Sequence, residues 1–196
     1  MLAERMNTFS GSPTSALIAK VAELRAEGKD IISLNVGEPD FGTPDYIKCG
    51  AIKAIVDNFS KYTAGNGIIE LRRLISKKLH EDNNLEYTTD EICATVGAKQ
   101  AIFNSIMALV DPGDEVLLPV PCWVSYTEMI KFAGAKPVFV DVEAETFDLD
   151  IEALEKAVTT KTKAIVICTP NNPTGAVYSA VSYTHLRAHE TLANLV

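Results

Sequence analysis

EICATVGAKQAIFNSIMALVDPGDEVLLPVPCW, residues 91–123, carries the pattern on which the fold is decided. The apolar run Glu91–Val96 predicts a strand, and Ala98–Val110 predicts a helix opened at Gly97. Asp111-Pro112-Gly113-Asp114 places Pro and Gly where a reverse turn needs them. A second strand, Glu115–Leu118, then leads to Pro121-Cys122-Trp123. Outward from this stretch the alternation continues: helix Ser125–Ala133, strand Lys136–Val140, helix Ile151–Val158 and strand Lys163–Thr169. Strands separated by helix-length crossovers run parallel, with helices on the sheet's faces. The run Ala164–Ile167, AIVI, suits a strand buried on both sides. The predicted fold class is α/β, a mostly parallel sheet with helices on both faces.

Upstream, Thr14–Lys29 reads as a helix with Leu17, Ile18, Val21 and Leu24 on one face and Gly28 at its end. Ile31–Leu34 reads as a short strand. Thr43 is the expected N-cap of a helix that places Pro44 first and runs to about Asp57. Gly65 and Gly67 break the chain before an amphipathic helix, Ile68 to about His80.

The 196 residues carry a net charge of −8, which repels phosphate backbones and anionic lipid, so no nucleic-acid or membrane partner is expected. No basic segment precedes an apolar run at the start, and no run approaches the ~20 residues that cross a bilayer. A cytoplasmic protein is expected. Cys49, Cys93, Cys122 and Cys168 are scattered, without a CxxC pair, and Cys93 and Cys168 sit in apolar runs where thiols are expected to be buried.

Three places have the composition of a binding site. Gly97-Ala98-Lys99-Gln100 lies at a strand-to-helix turn, where first-turn amides at the positive end of the helix dipole suit a phosphate or carboxylate. On the residues alone a plain tight turn is the favoured reading, and neither GxGxxG nor GK[ST] is present. Thr169–Gly175, TPNNPTG, follows a predicted buried strand, where open α/β sheets bind ligands. It is a rigid loop offering amides, or simply a loop. Trp123, the sole tryptophan, is either a stacking platform or a core residue.

Taken in order, NVGEPDF (Asn35–Phe41), YTAGNGIIELR from Tyr62, VGAKQAIFN from Val96, DPGDEVLLPVPCW to Trp123 and TPNNPTGAVY to Tyr178 resemble the fold-type I aminotransferases. The likeness is to the branch with aspartate and aspartate/prephenate enzymes, and it covers Met1–Ser179. It implies pyridoxal 5'-phosphate as cofactor, amino acid and 2-oxo acid substrates, and a homodimer. By the same resemblance, Ala98 and Lys99 bind the cofactor phosphate, Trp123 stacks on its ring, and Asn172 donates to its phenolic oxygen. Gly37 contacts the substrate carboxylate, and Tyr62 reaches the phosphate in the neighbouring subunit. Cis peptide bonds are implied before Pro121 and Pro173. A lyase of the same fold is the nearest alternative activity.

The resemblance also implies a division into an N-terminal arm with a small-domain segment (1–45), an incomplete large domain (46–179), and a tail (180–196). The family continues into an aspartate for the ring nitrogen, the Schiff-base lysine and a carboxylate-binding arginine. None has a counterpart among these residues, so no catalytic residue is assigned and the chain by itself is expected to be inactive. Lys77 in Ser76-Lys77 is a solvated helix residue. The family's sheet inserts further strands beside Glu91–Val96, which is therefore expected to lack neighbours. The tail, which holds His185 and His189, lacks the strand that the alternation demands next and resembles translated adapter sequence. It is expected to add little to the core.

Overall fold

The structure is a computed structural model and describes residues 3, 6, 7, 11 and 13–188. The chain forms two compact units, Gly11–Gln100 and the residues from Ala101 onward together with Met1–Ser10.

The unit from Ala101 onward is built on β1 (Glu115–Val120), β2 (Lys136–Asp141) and β3 (Thr162–Ile165), all parallel, in the order β2-β1-β3. β1 pairs with β2 from Glu115↔Lys136 to Val120↔Asp141. Its pairing with β3 is irregular at Glu115/Val116 and ends at Leu117↔Ile165. Two prolines test this assignment, because proline cannot donate to a ladder. Pro119 of β1 lies past the end of the β3 pairing, and Pro137 lies on β2, an edge of these three strands.

Side-chain alternation along β1 builds two cores. Val116 and Leu118 face a cluster with Ile106 and Val110, near the end of α4 (Gly97–Leu109), and with Tyr126, Met129 and Ile130 of α5 (Ser125–Phe132). Leu117 faces the opposite cluster, with Val140, Leu149, Tyr178 and Leu154 of α6 (Ile151–Ala157). Val116, Leu118 and Ile130 are wholly excluded from solvent. Each such side chain contributes about 1.5–3 kcal/mol by burial. The predicted helices on both faces are therefore present.

At the strands' N-terminal ends, Glu115 accepts from Lys136 Nζ at 3.0 Å and from Thr159 Oγ1 at 2.7 Å. These two bonds, the Thr159 hydroxyl first, hold its carboxyl below the usual glutamate value. The Asp111–Asp114 turn closes as predicted, with the Asp111 amide donating to Asp114 Oδ2 at 2.9 Å.

The unit Gly11–Gln100 contains α1 (Pro13–Ala26), α2 (Asp45–Val56), α3 (Ile69–Asn83) and a 3-10 turn, Thr89–Glu91. Polar ties hold its better-packed part. Buried Arg72 of α3 donates from Nε to Gly67 O (3.1 Å) and from Nη1 to Thr89 O (2.7 Å). The Ala94 amide donates to Asn66 O at 3.0 Å. Gly67 has φ +99°, and a Cβ there would lie 2.8 Å from Ala94 Cβ, so only glycine permits this approach. Lys77 is exposed on α3 and pairs with Glu81 at 3.7 Å, as a solvated helix residue should.

Several local expectations are corrected. Glu91–Val96 is not a strand: Glu91 closes the 3-10 turn and 92–96 runs without a ladder, no described strand lying beside it. Ile31–Leu34 is likewise unpaired, with Ile32 86% and Leu34 91% exposed. Cys93, expected inside a strand, is consequently exposed. Cys168 is partly buried, three residues past the end of β3 at Ile165. Leu17 and Ile18 of α1 are exposed rather than forming a covered face. Pro44, not Thr43, caps α2, its carbonyl accepting from the Ile47 and Lys48 amides.

The described part of the tail forms α7 (Ala180–Ala188) and adds no strand. Leu186 packs at the edge of the second cluster, and Ser182 Oγ donates to Asp148 Oδ2 at 3.0 Å. Among the described tail residues, Leu186 is the one packed against a core cluster. His185 is exposed on α7, and His189 lies outside the described residues.

Candidate functional site

The sheet's order reverses at β1, since the chain goes from it to β2 on one side and then crosses to β3 on its other side. Ligands of open α/β sheets bind outside the strands' carboxyl ends at such a point. The loops leaving those ends of β1 and β3 carry Trp123 and Asn172.

Trp123 is half-buried against the first cluster, its ring edge-on to Tyr126 at a centroid distance of 5.3 Å and an angle of 88°. It is therefore neither wholly core nor wholly surface. Burial pushes the Tyr126 hydroxyl up to about 12, with a hydrogen bond to Cys168 adding to the effect. Burial also raises the Cys122 thiol and the Tyr178 hydroxyl. Tyr126, Tyr178 and Cys122 are consequently neutral near pH 7, and the surroundings of Trp123 gain no charge from them.

The loop after β3 divides its two asparagines. Asn171 is buried, 7% exposed, and its Nδ2 donates to Pro121 O and to Thr174 Oγ1, both at 2.9 Å. Its backbone closes the loop, the Asn171 amide donating to Ala176 O and the Gly175 amide to Asn171 O, both at 2.8 Å. Asn172 is exposed at the loop's surface. The sequence marked Asn172 and missed Asn171, because nothing in the string NN tells which amide is consumed by its own loop. The bonds preceding Pro121 and Pro173 are cis, as the resemblance implies; the bond preceding Pro170 is cis as well.

The other predicted residues lie in Gly11–Gln100. Ala98 and Lys99 occupy the first turn of α4, whose amides point along the axis at its positive end. Gly97, at φ +74° with open space where a Cβ would stand, gives the chain its turn into that helix. Gly37 is exposed with open space beside it, two residues from Asn35, whose buried Nδ2 has no partner. Tyr62 is fully exposed.

The sequence matches the family "Aminotransferase class I and II" over residues 29–193. The chain belongs to that family. The match runs past Ser179, where the likeness read from motifs ends. Among relatives, the probable aspartate/prephenate aminotransferase of Rickettsia conorii is 48% identical over 180 residues, covering 91% of this chain and 45% of that protein. The aspartate/prephenate aminotransferase of Nitrosomonas europaea is 47% identical over 179 residues, again covering 91% and 45%. The structure of Thermus thermophilus aspartate aminotransferase with maleate aligns at a TM-score of 0.91 and 43% identity, covering 96% of this chain and 50% of that one. This aminotransferase-family chain thus spans about half the length of the relatives it matches.

Proposed function

We propose that the chain is the cofactor-cradling part of a pyridoxal 5'-phosphate-dependent aminotransferase acting on an aspartate-like amino acid and a 2-oxo acid. The observation that carries this is the pairing of Trp123 with Asn172 on neighbouring loops at the sheet's switch point, in a chain of this family. Within the residues from Ala101 onward the donor set fits the group: a partly exposed aromatic ring and an exposed carboxamide suit a planar ring and its phenolic oxygen. When bound, the cofactor supplies the electron sink through which an amino group passes between amino acid and 2-oxo acid.

In this reading Trp123 stacks on the ring and holds its plane. Asn172 donates to the phenolic oxygen, favouring its anionic form. The Ala98 and Lys99 amides bind the phosphate, and Gly37 admits the substrate carboxylate to the backbone. Tyr62 serves the phosphate of a second copy in a homodimer. Exposed Leu34 (91%), Phe41 (85%) and Tyr62 support an interface in Gly11–Gln100. We assign 1–45 to an arm and small-domain segment, 46–179 to the large domain, and no role to 180–196. No lysine is assigned to the reaction, and amino transfer by this chain alone is expected to be absent.

Fluorescence of the single tryptophan tests the reading. Titration with pyridoxal 5'-phosphate should quench Trp123 saturably, inorganic phosphate should compete, and Asn172→Ala should weaken binding about tenfold. Unsaturable quenching that ignores both phosphate and Asn172→Ala would overturn it.

A further inference from the structure

β1 and β3 stop pairing at Leu117↔Ile165, and the last ladder-like bond is Val166 N to Leu117 O at 3.1 Å. Beyond that point the two chains carry Trp123 and Asn172 on separate loops. One buried carboxamide spans them. Asn171 Nδ2 reaches Pro121 O, two residues before Trp123, from a position adjacent to Asn172. Its second bond, to Thr174 Oγ1, ties the same group to its own loop, and Thr174 Oγ1 also accepts from the Ala176 amide at 3.2 Å.

We propose that Asn171 is a positioning residue that sets the spacing of Trp123 and Asn172 by clamping the loop after β1 to the loop after β3. This rests on the cofactor reading above. The chemistry of the clamp is specific. A carboxamide has two N–H donors on one nitrogen, which is what two acceptors on two loops require. Leucine would fill the volume and donate to neither acceptor, leaving Thr174 Oγ1 only its bond from the Ala176 amide. Aspartate has the shape and no donor, and sets an oxygen against the Pro121 carbonyl. Either change removes the side-chain bond that ties Pro121 O to the loop after β3, so the loops should part. Asn171 itself reaches neither ring nor phenolic oxygen in this scheme; it acts through its neighbours.

The test uses the full chain, with Asn171→Ala and Asn171→Asp compared with Leu154→Ala, which loosens the opposite cluster from a position on neither loop. Both Asn171 variants should move Trp123 emission to the red and raise its acrylamide quenching without cofactor. They should also weaken pyridoxal 5'-phosphate binding about tenfold. Leu154→Ala, compared at an equal shift in urea midpoint, should leave emission and binding as in the wild type. Native emission, quenching and affinity in the Asn171 variants would overturn the clamp, and so would equal changes in Leu154→Ala. Should neither Asn171 variant fold, the wild type decides by nuclear magnetic resonance with labelled asparagine. A slowly exchanging Asn171 side-chain amide supports the clamp; an amide exchanging as fast as that of exposed Asn172 overturns it. If the wild type shows no saturable cofactor quenching, the cofactor reading fails, while emission of the apo variants still tests the clamp.

Discussion

Residues from Ala101 onward and those of Gly11–Gln100 both contain apolar runs, and the two regions use them differently. In the first, three parallel strands present two faces, and helices cover both, so Val116, Leu117, Leu118 and Ile130 are buried. In the second, α2 carries Ile47, Ile52, Ile55 and Val56, and all four are exposed. Its buried positions include Ile92 and the guanidinium of Arg72. The difference is one of layers. A helix buries its apolar stripe only against a second surface, and the ladder supplies that surface in one region and not in the other. Where no layer forms, backbone carbonyls gathered on one arginine hold the chain together.

The largest effect should come from the layered core. Ile130→Ala is expected to cost about 2–5 kcal/mol in urea unfolding followed by Trp123 emission, whereas Ile55→Ala on α2 should stay within about 0.5 kcal/mol. Equal losses would erase the contrast between the regions. Arg72→Ala comes next. It takes the arginine donors from the Gly67 and Thr89 carbonyls, Thr89 O keeping only the Ile92 amide at 3.4 Å, and should cost about 2 kcal/mol locally. Faster hydrogen exchange over residues 66–94, with the Trp123 transition unmoved, would sharpen the comparison. A shift of the Trp123 transition by the same amount would show that the two units unfold together.

A smaller loss is expected at the N-cap of α6, where Asp150 Oδ1 accepts from the Ala153 amide at 2.9 Å. Asp150→Ala should lower the Trp123 transition by about 1 kcal/mol. The smallest effect is a pH dependence. Glu115 has a lowered folded pKa, so the unfolded chain takes up its proton first as pH falls below the ordinary value of 4.5. Its contribution is therefore present above that value and is lost as pH falls through the folded pKa. Glu115→Gln should flatten the acid limb of the stability curve and leave the slope above pH 6 unchanged. An acid limb as steep as the wild type's would assign that limb to other carboxylates.

The legible parts of the fold were those whose signal is local. Helix Ala98–Val110 and strand Glu115–Leu118 were bounded to within two residues, because a DPGD turn and a change of period mark both. Glu91–Val96 carried the same apolar signal and formed no strand. A parallel strand exists only beside another, and an apolar string does not state whether a neighbour is present. Ile31–Leu34 and the thiol of Cys93 follow the same logic, since burial is a property of the partner as much as of the residue.

By itself the sequence determined the period of each element, the turns between them, the parallel α/β class and the motif order that marks the family. All of these depend on residues near in the chain or on their order along it. The tertiary structure alone decided that β1 is central, that Val116 and Leu118 turn to one core and Leu117 to the other, and that Asn171 rather than Asn172 is buried. Each of those outcomes depends on an atom brought close from far along the chain, such as Pro121 O for Asn171, fifty residues away. Only folding creates that acceptor's proximity, and with it the reason one asparagine is held while its neighbour is presented.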